Sequence, residues 1–262
     1  MRNLWLVATN PYTKFGRIWF SSDEGATWQG PIPTLVIGIV PDKLLELPNK
    51  RWLLVSHRKS SKHGFLEERV WLSDTQGKTW SDPIVMASKE GLNLCEVSTV
   101  LLPNGTLVGF LRENSFRCWD AYKVISSDGG ETWQGPFPVP LPGCHRLVDG
   151  MLEDNKLLIT YRFLQGGKGW RGNWTQDFFA GLAKATRCSQ QWTRILPLDY
   201  DRSPVSDLGY SGRARFQMEK SMWSIPFLTI GPEQIRDYNL KKEDFYFYTN
   251  QEAQLVTEKQ SL

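Results

Sequence analysis

The sequence predicts an all-β protein, a β-propeller of four-stranded antiparallel blades, with five modules visible and a ring of five or six blades. Three observations predict it. A turn of the form Ser-x-Asp-x-Gly-x-Thr-Trp recurs at near-constant spacing, and a hairpin with a polar turn between two apolar runs alternates with it. The composition completes the picture, with twelve Trp, 22 Gly and 15 Pro in 262 residues. Many short strands joined by tight turns suit such a composition better than a helical bundle does.

The recurring turn reads Ser21-Ser22-Asp23-Glu24-Gly25-Ala26-Thr27-Trp28 and again Ser126-Ser127-Asp128-Gly129-Gly130-Glu131-Thr132-Trp133. Between them, Ser73-Asp74-Thr75-Gln76-Gly77-Lys78-Thr79-Trp80 is a variant with its acid moved by one position, and a decayed copy ends at Trp192. Trp28, Trp80 and Trp133 follow one another at intervals of 52 and 53 residues. Ser and Asp side chains bond nearby backbone N–H groups, Gly supplies an unusual φ, and Trp covers a blade edge. The turns therefore read as staples and not as catalysts.

The hairpin is clearest in Leu44–Val55, turning at Pro48-Asn49-Lys50-Arg51, and in Val100–Val108, turning at Pro103-Asn104-Gly105. Asn-Gly between apolar runs is a strong hairpin signal. Weaker copies turn at 153–156 and 217–220. The alternation divides a single domain, 1–250, into modules of about 1–31, 40–84, 93–139, 145–196 and 205–249, followed by a tail at 251–262. The first module lacks an opening strand and the last lacks the Trp turn. First strands, being the most continuously apolar, are expected innermost.

Composition excludes several classes. Hydrophobic residues make up 40% and charged residues 23%, the balance of a folded globular chain. A net charge of +3 without any Lys/Arg run argues against a nucleic acid partner. No apolar run reaches membrane-spanning length, so no membrane is expected. The apolar run Leu4–Ala8 is too short for the core of a signal peptide. As written, the chain is expected in the cytoplasm, or outside it if it is an N-terminally truncated form. Cys95, Cys118, Cys144 and Cys188 are spaced as buried free thiols, and His57, His63 and His145 lack ligand spacing, so neither metal nor organic cofactor is expected.

Residues near the central axis share a register with the inner hairpin turns. Six positions before Leu102, Leu152 and Phe216 stand Glu96, Arg146 and Tyr210. Ten positions after Leu47, Leu102 and Leu152 stand His57, Arg112 and Arg162, with Arg58 beside His57. The loops of that rim add Asp42, His145, Asp149 and Asp207. Charges in apolar inner strands need partners or a solvated cavity. They form either an ion-pair plug in the channel or a cleft for an anionic ligand, since Arg forks match a carboxylate.

With these residues in view, the sequence resembles sialidases (neuraminidases) carrying Asp-box, or BNR, repeats, and the resemblance covers nearly the whole chain. The turns at 21–28 and 126–133 match the box. Cys95-Glu96 through Arg112 resembles the segment where that family carries a Glu and then an Arg, and Leu208-Gly209-Tyr210-Ser211-Gly212 resembles the segment of its nucleophilic Tyr. The resemblance implies Tyr210 as nucleophile, Glu96 as the base that helps ionise it, and Arg112 as a carboxylate-binding Arg, with Arg146 or Arg162 as another. The family's N-terminal Arg-Ile-Pro has no counterpart, and the stretch 10–17 contains no carboxylate to match its acid/base Asp. Asp42, at the head of the next inner strand, is the substitute.

The implied function is glycoside hydrolysis of a carboxylated sugar such as sialic acid, with an acidic sugar or glycan as partner. Two alternatives stand beside it. One is a lectin-like propeller using the same mouth without chemistry; the other is an interaction propeller using exposed loops such as 166–171.

Overall fold

The computed structural model describes residues 4–39, 42–115, 121–139, 141, 144–151, 155–165, 175–184, 196–200, 222–229 and 234–241, with backbone alone at His145, Arg146 and from Arg162 onward. Every regular element among them is a β-strand, and neighbouring strands pair antiparallel in chain order. The first sheet comprises β1 (Leu4–Thr9), β2 (Phe15–Ser21) and β3 (Gln29–Ile37). The second comprises β4 (Leu45–Glu46), β5 (Trp52–Lys59), β6 (Leu66–Ser73) and β7 (Ile84–Ala87). The third comprises β8 (Leu94–Leu101), β9 (Leu107–Glu113), β10 (Ala121–Ser126) and β11 (Gln134–Val139). The fourth comprises β12 (Cys144–Met151), β13 (Lys156–Gln165), β14 (Thr175–Lys184) and β15 (Leu196–Tyr200). A last pair joins β16 (Met222–Thr229) to β17 (Gln234–Lys241).

Each repeated turn closes on its own side chains. Gly25 N–H donates to Ser21 Oγ over 2.8 Å, Thr27 N–H to Asp23 Oδ1 over 2.9 Å, and Trp28 Nε1 to Gly25 O over 3.1 Å. The turn at 126–133 repeats these bonds with Ser126, Asp128 and Gly130. These bonds, led by the Thr27 hydroxyl, hold the Asp23 carboxyl down to about 2. The central turn substitutes one atom type for another. Thr75 stands where Asp is expected, and its Oγ1 accepts the Thr79 N–H over 2.8 Å. Asp74 is freed to face outward and accept from Arg51, whose Nε donates to it over 2.7 Å. The same guanidinium reaches Glu131 in the next sheet over 2.8 Å.

The sheets pack in sequence. Against the second sheet, β3 meets β5; against the third, β8 meets β5 and β6; and β12 lies on β8 and β9. The second and third sheets enclose Leu53, Val55, Val70, Leu94, Val97, Leu107 and Leu111, all nearly free of solvent. The third and fourth enclose Val100, Phe110, Leu147, Ile159 and Tyr161. Ile18, Val36, Trp52, Leu54 and Trp71 fill the space between the first and second. Sheets covered on both faces explain why β5, β8 and β9 are almost continuously buried and do not alternate between core and solvent. Each large apolar side chain among them contributes roughly 1.5–3 kcal/mol by leaving water. Contact is close at Gly109, where an added Cβ would stand 2.2 Å from Met86 Cε and 3.0 Å from Val97 Cγ2. A side chain at that position would require Met86 to move.

The second sheet departs from the expectation of a long apolar inner strand. Its β4 is two residues long, and the described residues just before it bond β5 through an Ile39–His57 bridge, a Ser56 Oγ bond to Ile39 O at 3.2 Å and the Asp42 N–H, 3.4 Å from Val55 O. The polar Asp42-Lys43 pair replaces the apolar residues that would have continued the ladder.

Candidate functional site

Two inner strands carry the same irregularity. In β8, Cys95 pairs with Arg112 and the next regular pair is Ser98 with Phe110, so Glu96 and Val97 together face Leu111. In β12, His145 pairs with Arg162 and the next pair is Val148 with Thr160. Both are β-bulges, which re-aim one side chain at the cost of a paired N–H. The innermost pairs Glu46–Trp52, Leu101–Leu107 and Met151–Leu157 align the three hairpins. On that alignment His57, Arg112 and Arg162 occupy one position, Glu96 and Arg146 another, and Thr99 and Asp149 a third.

The bulge puts Glu96 at φ 49°, left-handed backbone that costs a non-glycine residue on the order of 1 kcal/mol. Arg112 Nη1 donates to Glu96 Oε2 over 2.7 Å and Nη2 to Asn114 Oδ1 over 2.9 Å. Glu96 and Arg112 are 7% and 8% exposed, so the pair sits in a low-dielectric pocket. Arg112 Nε is buried and has no acceptor among the described residues. The neighbouring sheet meets the bulge with two acceptors: Val97 N–H donates to Glu68 Oε1 over 3.1 Å and Glu96 N–H to His57 Nδ1 over 3.4 Å. Glu68 is fully buried, with Oε1 3.7 Å from His57 Nδ1.

Asp42 joins a different group, deeper along the inner strands. Its Oδ2 accepts the Thr99 N–H over 2.7 Å. Lys43 Nζ donates to Asp149 Oδ1 over 2.9 Å, and the Asp149 N–H donates to Ser98 Oγ over 3.2 Å. Asp149 Oδ2 and Thr99 Oγ1 are buried without a partner among the described residues. Burial pushes the Asp42 carboxyl above the ordinary carboxylate range; Asp149 adds to the rise and Lys43 opposes it. Asp42, Lys43 and Asp149 thus gather where the second, third and fourth sheets meet.

The other expected residues are placed less uniformly. Arg58 is exposed and, as the next residue along β5, lies on the face opposite His57, away from the Glu96–Arg112 pair. The backbones of His145, Arg146 and Arg162 stand in β12 and β13 at the positions given above. Tyr210 and Asp207 lie outside the described residues. Glu68 is a site neighbour that counting from the hairpin turns does not find. A signal for it exists, since the third strand places the acid Glu68 opposite His57 in a segment that turns apolar at Val70-Trp71-Leu72. Among the described residues no cluster of three His, Cys, Asp or Glu side chains has the arrangement of a metal site.

A family model described as BNR repeat-like domain matches residues 3–167. No curated protein matches the sequence. Among solved structures, the chain is similar to a protein of unknown function from Dyadobacter fermentans DSM 18053, at 21% identity and TM-score 0.68, over 91% of this chain and 72% of that one. It is similar to the NanB sialidase of Streptococcus pneumoniae at 16% identity and TM-score 0.61, over 88% of this chain and 36% of the other. It is also similar to an α-L-arabinanase of Penicillium chrysogenum at 14% identity and TM-score 0.64, over 89% and 74% of the two chains. These likenesses show a shared fold, that of β-propeller glycosidases. The chain spans little more than a third of the sialidase's length.

Proposed function

The chain belongs to the family of BNR repeat-like domains, and from that premise we propose that it is a glycoside hydrolase acting on a carboxylated sugar such as sialic acid. One observation carries the reading. The buried Arg112 fork is held by Glu96 and Asn114, yet its Nε–H is left without an acceptor among the described residues. A buried donor of that kind is costly unless a ligand oxygen meets it, and a carboxylate suits a guanidinium.

In this reading Arg112 binds the sugar carboxylate, with Arg146 or Arg162 beside it. Tyr210 attacks the anomeric carbon and Glu96 accepts the phenolic proton, because a free phenol with a pKa near 10 is a weak nucleophile at neutral pH. Asp42 supplies the proton to the leaving oxygen, a role favoured by burial that raises its carboxyl above the ordinary range. Purified protein assayed against a panel of sialosides and uronides tests this. Turnover by wild type that falls at least about a hundredfold in Tyr210→Phe supports it. Wild type and Tyr210→Phe equally inert on every substrate would remove it.

A lectin-like function is favoured by a separate observation. Residues 10–14 form a tight turn closed by the Lys14 N–H on Asn10 O, in which the Asn10 side-chain oxygen caps the Tyr12 and Thr13 N–H groups at 2.9 and 3.0 Å, with no carboxylate in that loop. Saturable binding of an acidic glycan without turnover selects this second reading.

A further inference from the structure

The bulge at Glu96–Val97 leaves two adjacent N–H groups outside the regular ladder of β8 and β9. Both are in a buried strand, where an unpaired N–H is not tolerated. Their acceptors come from the neighbouring sheet: Glu68 Oε1 for Val97 and His57 Nδ1 for Glu96. We propose that Glu68, with His57, is the positioning device for Glu96, holding the bulge so that the Glu96 carboxylate meets Arg112. The proposal rests on the reading that Glu96 and Arg112 belong to the functional site.

Three features support it. First, Glu68 is a carboxylate at 0% exposure on a third strand, where the aligned positions of the next two sheets are Ala121 and Phe178. A buried acid makes a poor filler, so its place there is explained by what it accepts. Second, the acceptor pair is particular to this bulge. The bulge of β12 follows a sheet whose aligned residues are Arg112 and Ala121, and neither side chain carries an acceptor. Third, Glu96 is in left-handed backbone, a conformation that persists only where its surroundings over-determine it. Accepting at Nδ1 also fixes the His57 tautomer, placing the ring proton on Nε2.

The chain of contacts runs from Glu68 to the Val97 amide, from the bulge to the Glu96 side chain, and from there to Arg112. Glu68 touches no reacting atom in this scheme. Loss of its acceptor lets the bulge relax toward regular pairing and turns Glu96 away from the guanidinium.

The test uses the whole, ligand-free protein in solution by nuclear magnetic resonance, with Glu68→Ala and Glu68→Gln as variants. In wild type, a scalar coupling across the hydrogen bond is expected between Val97 N and the Glu68 carboxyl carbon, and the Arg112 Nη1 protons are expected to exchange slowly. Glu68→Ala is expected to speed that exchange at least about tenfold, and Glu68→Gln, which keeps an acceptor oxygen, to restore it. Absence of the coupling in wild type overturns the proposal. So does unchanged Arg112 exchange in a folded Glu68→Ala, or fast exchange in Glu68→Gln. Should Glu68→Ala fail to fold, the coupling and the Gln variant still decide. Titration of N-acetylneuraminic acid is the separate arm: if wild type does not bind it, the functional reading falls while the ligand-free signatures still judge the role of Glu68.

Discussion

Arg112 and Glu96 form an ion pair of 2.7 Å in which both side chains are about nine-tenths buried. Breaking such a pair from one side leaves the other charge buried and uncompensated, which costs roughly 3–5 kcal/mol. Arg112→Ala and Glu96→Ala are each expected to destabilise by that order, and Glu96→Gln, which keeps an acceptor, by less. A Glu96→Gln/Arg112→Met double variant is expected to lose less than the two single losses together. Urea unfolding of these proteins measures this; additive losses would show that the pair is not energetically coupled.

Thr75 occupies the acid position of the central turn and closes it with a neutral hydroxyl. Thr75→Asp places a carboxylate there, as at Asp23 and Asp128, and charge-assisted bonds are the stronger kind. A gain of up to about 1 kcal/mol is expected at neutral pH. Asp23 and Asp128 are both held down to about 2 by their turns. The gain is therefore expected to persist on acidification until the carboxylate protonates, below the ordinary carboxylate value. Thermal unfolding at pH 7 and at low pH reads both parts.

Asp42 behaves in the opposite sense. Its folded-state carboxyl is raised above the ordinary value of 3.8, so the native protein binds the proton more tightly than the unfolded chain does. Stability is then lost as pH rises from that value through the raised one, because the native state must either ionise a buried acid or hold its proton. Asp42→Asn keeps an acceptor for the Thr99 N–H and removes the charge. It is expected to be more stable than wild type at pH 7 and equal to it below pH 3.8. Unfolding across that pH range checks the crossover; a constant difference would contradict the assignment.

Arg51 joins two sheets at the rim opposite the site, between Asp74 and Glu131. Its own side chain is 16% exposed, but its partners are 65% and 58% exposed, so solvent screens most of the attraction. Arg51→Ala is expected to cost about 1 kcal/mol or less, and less again in roughly 1 M salt. A loss of several kcal/mol would mean that the arm is a principal tie between the sheets.

Much of the architecture is legible in the sequence because hairpin turns of equal length fix register. The same six-residue step from β4, β8 and β12 to their partners aligns His57, Arg112 and Arg162 by counting from apolar runs. Glu96 and Arg146 follow from the same count. What escapes the sequence lies between sheets. Nothing in the spacing says that Glu68 of one sheet caps the backbone of the next, or that Asp42 sits near Asp149, 107 residues away. Adjacency to His57 groups Arg58 with the site, although strand alternation sends neighbours to opposite faces. The variant turn is legible, but that Thr75 takes over the acid's role in it is not, because the turn conserves an oxygen and not an amino acid.

The bulge has one more effect, on the count of odd and even. Upstream of it, Leu94 aligns with Glu113 and Cys95 with Arg112; downstream, the pairing sum has moved by one. Parity therefore changes inside β8, and Leu94 and Val97 share a face although three positions separate them. Removing the single residue Val97 would do more than trim a side chain. It would leave Leu94 opposite Glu113 and Cys95 opposite Arg112, but set Glu96 alone opposite Leu111, a carboxylate in the core place of Val97. The extra residue is what lets one strand carry an apolar side chain to the core and a carboxylate to Arg112 from adjacent positions.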